Sequence, residues 1–137
     1  METINFGEHM MLDCYGADPE ILNSKEEVLR ILNDLPEKLG MHKLAEPVVY
    51  YAEGNGDKDP GGWSGFVVIM ESHISVHTFV GRHFVSADVY TCRNGMDQNF
   101  ITSYFKDVFK TNDIEVNFVM RGTRYPKEDI DLTMLIK

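Results

Sequence analysis

Seven consecutive positions, Glu71-Ser72-His73-Ile74-Ser75-Val76-His77, hold a carboxylate, two hydroxyls and two imidazoles directly after the apolar run Phe66-Val67-Val68-Ile69-Met70. Polar groups beside a buried run cost free energy unless they are paired, so mutual hydrogen bonding at a strand end is one reading of the cluster. Two catalytic readings stand beside it. His73 and His77 are four apart, a spacing that puts two metal ligands on one face of a helix. However, Ile74, Val76 and Thr78 favour a strand and no acid or cysteine completes a ligand spacing, so no metal site is expected. A serine hydrolase would use a G-x-S-x-G elbow, which Ser72 and Ser75 lack and which Gly62-Trp63-Ser64-Gly65 does not supply. On one continuous strand Ser72 and His77 would point to opposite faces about 16 Å apart, so joint action predicts a turn of the backbone within residues 72–75.

The chain that must position these groups has 137 residues, 43% hydrophobic and 26% charged, which predicts one globular domain with its own core. Thirteen basic and 22 acidic residues give a net charge of −9, which argues against a nucleic-acid or anionic-membrane surface. No apolar run approaches the roughly 20 residues of a membrane helix. The opening METINFGEHMML lacks the basic and apolar regions of a secretory signal. Two cysteines, Cys14 and Cys92, make no disulfide framework, and a cytoplasmic location is the expectation.

Residues 4–15 read as a strand with Met10, Leu12 and Cys14 on one face and His9, Met11 and Asp13 on the other. Ser24-Lys25-Glu26-Glu27 is a capping box ahead of a helix whose stripe is Val28, Leu29, Ile31, Leu32 and Leu35. Pro36 is expected to end or kink this helix, with Gly40 at the chain exit. Val48–Tyr51 reads as a strand, 52–62 as a long Gly- and Asp-rich loop, and 66–70 as a buried strand. Residues 74–79 and 84–92 add two strands, 97–110 a helix with paired apolar positions, and 114–120 a half-buried strand. Leu132–Ile136 offers one more. The order β-α-β-β-β-β-α-β predicts an α+β two-layer sandwich, a mostly antiparallel sheet with two helices on one face.

The stretch from Ser64 through Glu71-Ser72-His73-Ile74-Ser75-Val76-His77-Thr78-Phe79, followed by Ala87-Asp88-Val89-Tyr90-Thr91-Cys92, resembles the bacterial and archaeal S-adenosylmethionine decarboxylase proenzymes. Gly7-x-His9 and the order of elements extend the resemblance more weakly. The resemblance implies a pyruvoyl-dependent decarboxylase that cuts itself between Glu71 and Ser72, giving a β chain of 1–71 and an α chain of 72–137. Ser72 would become the pyruvoyl group, an electron sink that takes the amine of a small-molecule substrate as a Schiff base. His77 would be the processing base that removes the Ser72 α-proton, Ser64 would assist processing, and Cys92 would return a proton to the product carbon. Phe79 would stack on the substrate's adenine. The family also implies a homodimer of processed αβ units, with sheets and pockets meeting near the interface, and a role in supplying the aminopropyl donor for polyamine (spermidine) biosynthesis. Cys14 matches no family site and reads as a small core residue.

One departure bears on the substrate. In members that use S-adenosylmethionine, Pro-Glu commonly follows the aromatic residue, and the acid holds the ribose hydroxyls; here Val80-Gly81-Arg82 follows Phe79. Glu53, Asp57 and Asp59 on the 52–62 loop are the acids available to replace it. A basic substrate side chain would also suit an acidic loop, so pyruvoyl-dependent ornithine or arginine decarboxylation is the alternative reading. An unprocessed regulatory or binding relative is a third reading, opposed by the intact Glu71, Ser72, His77 and Cys92.

Overall fold

The computed structural model describes residues 1–131. Eight strands and three helices run in the order β1 (Thr3–Ile4), β2 (Gly7–Tyr15), α1 (Pro19–Leu22), α2 (Lys25–Lys38), β3 (Val48–Glu53), β4 (Gly61–Ile69), β5 (Ser72–Phe79), β6 (Phe84–Thr91), α3 (Gln98–Phe109), β7 (Asp113–Arg121) and β8 (Tyr125–Pro126). A single 3-10 turn, Val80–Arg82, links β5 to β6. Six strands form one sheet in the order β3-β4-β5-β6-β2-β7, and every neighbouring pair is antiparallel. β1 and β8 pair separately. The strand expected over 132–136 lies outside the described residues.

Strand alternation builds the two-layer plan. Met10, Leu12 and Cys14 of β2, Ile74 and Val76 of β5, and Val85, Ala87 and Val89 of β6 are buried on one face. Val28, Ile31, Leu32 and Leu35 of α2 and Ile101, Phe105 and Phe109 of α3 cover them. The α2 helix lies over β3, β4 and β5, and α3 over β2 and β7, so both long helices sit on one sheet face as expected. The four-residue α1, opened by Asp18 accepting from the Glu20 N–H, is an addition to that expectation. No helix of the described residues is long and apolar enough to cross a membrane.

Several local expectations are corrected. Ser24 caps α2 by accepting from the Glu27 N–H at 3.2 Å, but the reciprocal half of the capping box is not made. The Ser24 N–H donates to the Ile21 carbonyl left by α1, and Glu27 pairs with Arg30 instead. Pro36 does not stop the helix. It sits in the last turn, and α2 runs on to Lys38 before Gly40 turns out at φ +70°. The loop expected over 52–62 shrinks to 54–60, because Ala52 and Glu53 pair with Gly62 and Gly61. The run 66–70 is not a buried strand: Phe66, Val68 and Met70 are exposed, and only Val67 and Ile69 face the core. The β7 edge strand likewise leaves Val116 and Met120 exposed.

Candidate active site

The face turned away from the helices carries the candidate groups. β4 and β5 form a hairpin whose turn is Met70–Glu71, with Ile69 opposite Ser72, Val68 opposite His73 and Ser64 opposite His77. The hairpin end is tied down from outside: the Met70 N–H donates to the His42 carbonyl and the Leu44 N–H to the Val68 carbonyl, each at 2.9 Å. Ser72 is therefore the first strand residue after the turn, half-buried, and its hydroxyl donates to the carbonyl oxygen of Glu71. The hydroxyl of Ser72 and the carbonyl of the peptide bond before it are thus in contact.

β5 is a continuous strand, so the backbone turn expected within 72–75 is absent. Register brings His77 to Ser64 instead, and His77 Nδ1 shares a hydrogen bond of 2.9 Å with Ser64 Oγ. With Nδ1 engaged, Nε2 is the nitrogen left to exchange a proton. Ser72 and His77 line the same groove, a cavity of about 520 Å³ also bounded by Tyr50, Phe66, Val68 and His73. They sit five residues apart along the strand, about 16 Å. Phe79 is a further two residues on, about 23 Å from Ser72 in the same chain. His73 and His77, the pair weighed as metal ligands, share a face but stand about 13 Å apart along β5, too far to hold one ion. Among the described residues no three His, Cys, Asp or Glu side chains converge as a metal site.

Cys92 follows β6 as a half-buried free thiol. β5 and β6 pair with His73 opposite Tyr90. Extending that register by two residues sets Cys92 across from Glu71, at the Ser72 end of the groove. Gly7 makes this end possible: a Cβ there would lie 2.3 Å from the Thr91 carbonyl oxygen and 3.1 Å from Cys92 Cα. The buried Glu8 carboxylate then accepts from the N–H groups of Gly95 and Met96 at 3.0 and 2.8 Å, fixing the chain beyond Cys92. Cys14, by contrast, is in the core, where burial pushes its thiol up to about 12.

A second network crosses the same face and was not read from the sequence as part of the site. Asp88 binds His9 Nε2 at 2.8 Å through one oxygen and accepts from the Ser75 hydroxyl at 3.1 Å through the other. The Arg121 guanidinium lies 4.4 Å over the Tyr90 ring. The signal for this network was parity: His9 and Asp13 fall on the strand face opposite Met10 and Leu12. Asp13 lies farther along β2, where partial burial, then Glu115 and Asp88, raise its carboxyl above the ordinary 3.8.

The S-adenosylmethionine decarboxylase family profile matches residues 8–122. The chain is 34% identical over 122 residues to an S-adenosylmethionine decarboxylase proenzyme of Thermococcus onnurineus, covering 89% of this chain and 80% of that one. It is 29% identical over 135 residues to the proenzyme of Pyrococcus abyssi, covering 98% and 91%. The crystal structure of an adenosylmethionine decarboxylase from Aquifex aeolicus has the same fold, with a TM-score of 0.75 at 23% identity over 93% of this chain and 99% of that one.

Proposed function

Because the chain belongs to the S-adenosylmethionine decarboxylase family, we propose that it is a self-processing enzyme that releases carbon dioxide from S-adenosylmethionine with a pyruvoyl group made from Ser72. The observation that carries this reading is the Ser72 hydroxyl hydrogen-bonded to the Glu71 carbonyl at the hairpin turn. The residues fit the group: Ser72 opens into the groove, and a free thiol stands at the same end.

Processing needs only copies of this chain and water. Ser72 Oγ adds to the Glu71 carbonyl carbon, the C–N bond breaks, and an ester joins the two residues. Removal of the Ser72 α-proton by His77 then breaks the Cβ–O bond, and Glu71 leaves as a carboxylate. The unsaturated residue 72 takes up water and loses ammonia to become a ketone, which leaves chains 1–71 and 72–137. The pyruvoyl ketone beside an amide carbonyl supplies an electron sink for the carbon that loses carbon dioxide. Ser64 holds the His77 ring through the 2.9 Å bond, which supports its assisting role. Cys92 returns the proton to the product carbon.

A single chain leaves about 16 Å of strand between Ser72 and His77. That separation supports the homodimer. A two-fold axis over the central Ser75–Asp88 pair would lay the partner's His77 beside Ser72, and the partner's Phe79 beyond it, in a self-complementary interface. Tyr50, Phe66 and Val68 leave apolar surface on this face for the partner to cover. The product serves as aminopropyl donor for polyamine synthesis, and the two free thiols suit a reducing cytoplasm.

Intact-mass spectrometry of the purified chain should show one piece ending at Glu71 and another beginning at residue 72 that resists Edman sequencing. Carbon dioxide release is then measured in parallel from S-adenosylmethionine, ornithine, arginine and lysine. A wild-type chain still uncut after long incubation at neutral pH, or release from a basic amino acid alone, overturns the reading.

A further inference from the structure

β7 ends on the exposed Arg121, whose backbone is paired across to Gly7 of β2. β2 separates β7 from β6 in the sheet, and Gly7 has no side chain to bar the way. The Arg121 guanidinium crosses β2 and stands 4.4 Å over the ring of Tyr90 on β6. That ring meets the His9 ring on the β2 side at 5.3 Å and the His73 ring on the β5 side at 5.6 Å, edge to face. Tyr90 pairs with His73, the residue after Ser72, and lies two residues before Cys92. Arg121 therefore holds its charge on the outward face, at the end where Ser72 and Cys92 stand. One guanidinium nitrogen is 3.5 Å from His9 Nδ1, and among the described residues no carboxylate forms an ion pair with Arg121. Two neighbouring cations are engaged elsewhere. Arg93 donates to the Leu39 and Gly40 carbonyls after α2, and the Lys43 ammonium donates to Asn33 Oδ1 at 2.6 Å.

We propose that Arg121 is a specificity-determining residue whose guanidinium holds the α-carboxylate of the substrate while the substrate's amine engages residue 72. This rests on the reading above, a decarboxylase whose reactive group is made from Ser72. Such a substrate carries its amine and its carboxylate on one carbon, so the carboxylate arrives at the same end of the face as the amine. A guanidinium fork matches the two oxygens of a carboxylate. Contact with a ring face instead of an acid leaves the Arg121 charge without a protein counter-ion. Loss of carbon dioxide removes the substrate's anion. The guanidinium then faces a product whose ammonium and sulfonium groups are both cationic, so the contact that admits the substrate favours release of the product. Because the anion is lost in the reaction, the contact stabilises bound substrate and not the transition state. Arg121→Gln should therefore raise KM more than it lowers kcat.

The test is a calorimetric cycle on the processed protein, with wild type, Arg121→Gln and Arg121→Lys as proteins. The probes are S-adenosylhomocysteine lacking its amine and the carboxamide of the same compound, neither of which can react with the ketone. Wild type should bind the carboxylate about 10- to 100-fold more tightly than the carboxamide, the range for a hydrogen bond to a charged group. Arg121→Gln should bind the two alike within about 2-fold. Arg121→Lys, with the charge but not the fork, should fall between them. Cleavage at Glu71–Ser72 should match wild type in both variants. A purely structural role would weaken both probes together and leave their ratio intact. The wild-type ratio in Arg121→Gln, or a wild type that binds the probes alike yet releases carbon dioxide from S-adenosylmethionine, overturns the role of Arg121 and leaves the activity standing. A wild type that releases none from S-adenosylmethionine overturns both.

Discussion

Ser72 and Cys92 stand at one end of the outward face and Ser64 and His77 in its middle. Processing as proposed uses a hydroxyl and an imidazole and no thiol, which leaves Cys92 for turnover. Cys92→Ala should therefore still split at Glu71–Ser72, while carbon dioxide release falls about 10²–10⁴-fold, the range for losing a positioned proton donor. Stray protonation at the former Ser72 carbon should also inactivate the variant during turnover, read as fewer product molecules per inactivation event than in wild type. Asp13 makes a residue-scale prediction about stability. Its carboxyl is raised by partial burial and by Glu115 and Asp88, so the folded chain keeps this proton to a higher pH than the unfolded chain. The protonated form's stabilisation is fully present below the ordinary value of 3.8 and is lost as pH rises through the folded value. Asp13→Asn should melt about 1–2 °C above wild type at pH 7, with the gap closing as the pH approaches 4 in parallel thermal melts.

At the scale of elements, the hairpin and the β2–β6 seam hold the candidate site groups. β4 and β5 stay paired from Ser64–His77 to Ile69–Ser72, so cutting the turn between them leaves the ladder intact and the two pieces associated. The seam depends on Gly7, where strand backbone rather than a flexible side chain occupies the space a Cβ would need. Gly7→Ala must push β2 away from Thr91 and Cys92, a cost of about 1–3 kcal/mol for overpacking. Thermal melting should drop by roughly 3–10 °C. Carbon dioxide release should fall with it even at temperatures where the variant is fully folded, because the Cys92 backbone moves.

At the scale of the molecule, one sheet face is covered by helices and the other carries every candidate site group. If two copies complete each site across that second face, Ser72→Ala and His77→Ala should each stay uncut alone. Coexpressed under different tags, they form mixed dimers in which one site is whole. Mass spectrometry should then find the His77→Ala chain cut at Glu71–Ser72 and the Ser72→Ala chain intact. Mixed dimers with neither chain cut would return the site to a single subunit.

Local patterns gave the main strands, the two long helices with their buried faces and the Ser24 cap, but not α1, β8 or the separate β1, because burial at period 2 or 3.6 and a hydroxyl three residues before an N–H are local properties. The Glu-Ser-His cluster was legible for the same reason, as polar groups against an apolar run. Read locally, the run 66–70 looked buried because hydrophobicity does not record which face lacks a covering layer; Phe66 and Val68 face out. Pro36 passed for a helix stop, since one lost N–H in a last turn is tolerated once packing holds the helix. Strand rise put Ser72 and His77 about 16 Å apart in one chain, but parity put them on opposite faces, whereas both line one groove, and the suggested turn within 72–75 is absent. Only the paired strands decided that His77 meets Ser64, that Glu8 ties down the Cys92 segment, and that Asp59 and Phe79 border one cavity. Those contacts join residues between 13 and 88 positions apart, and such pairings are set by sheet register and strand order, which no local window of sequence contains.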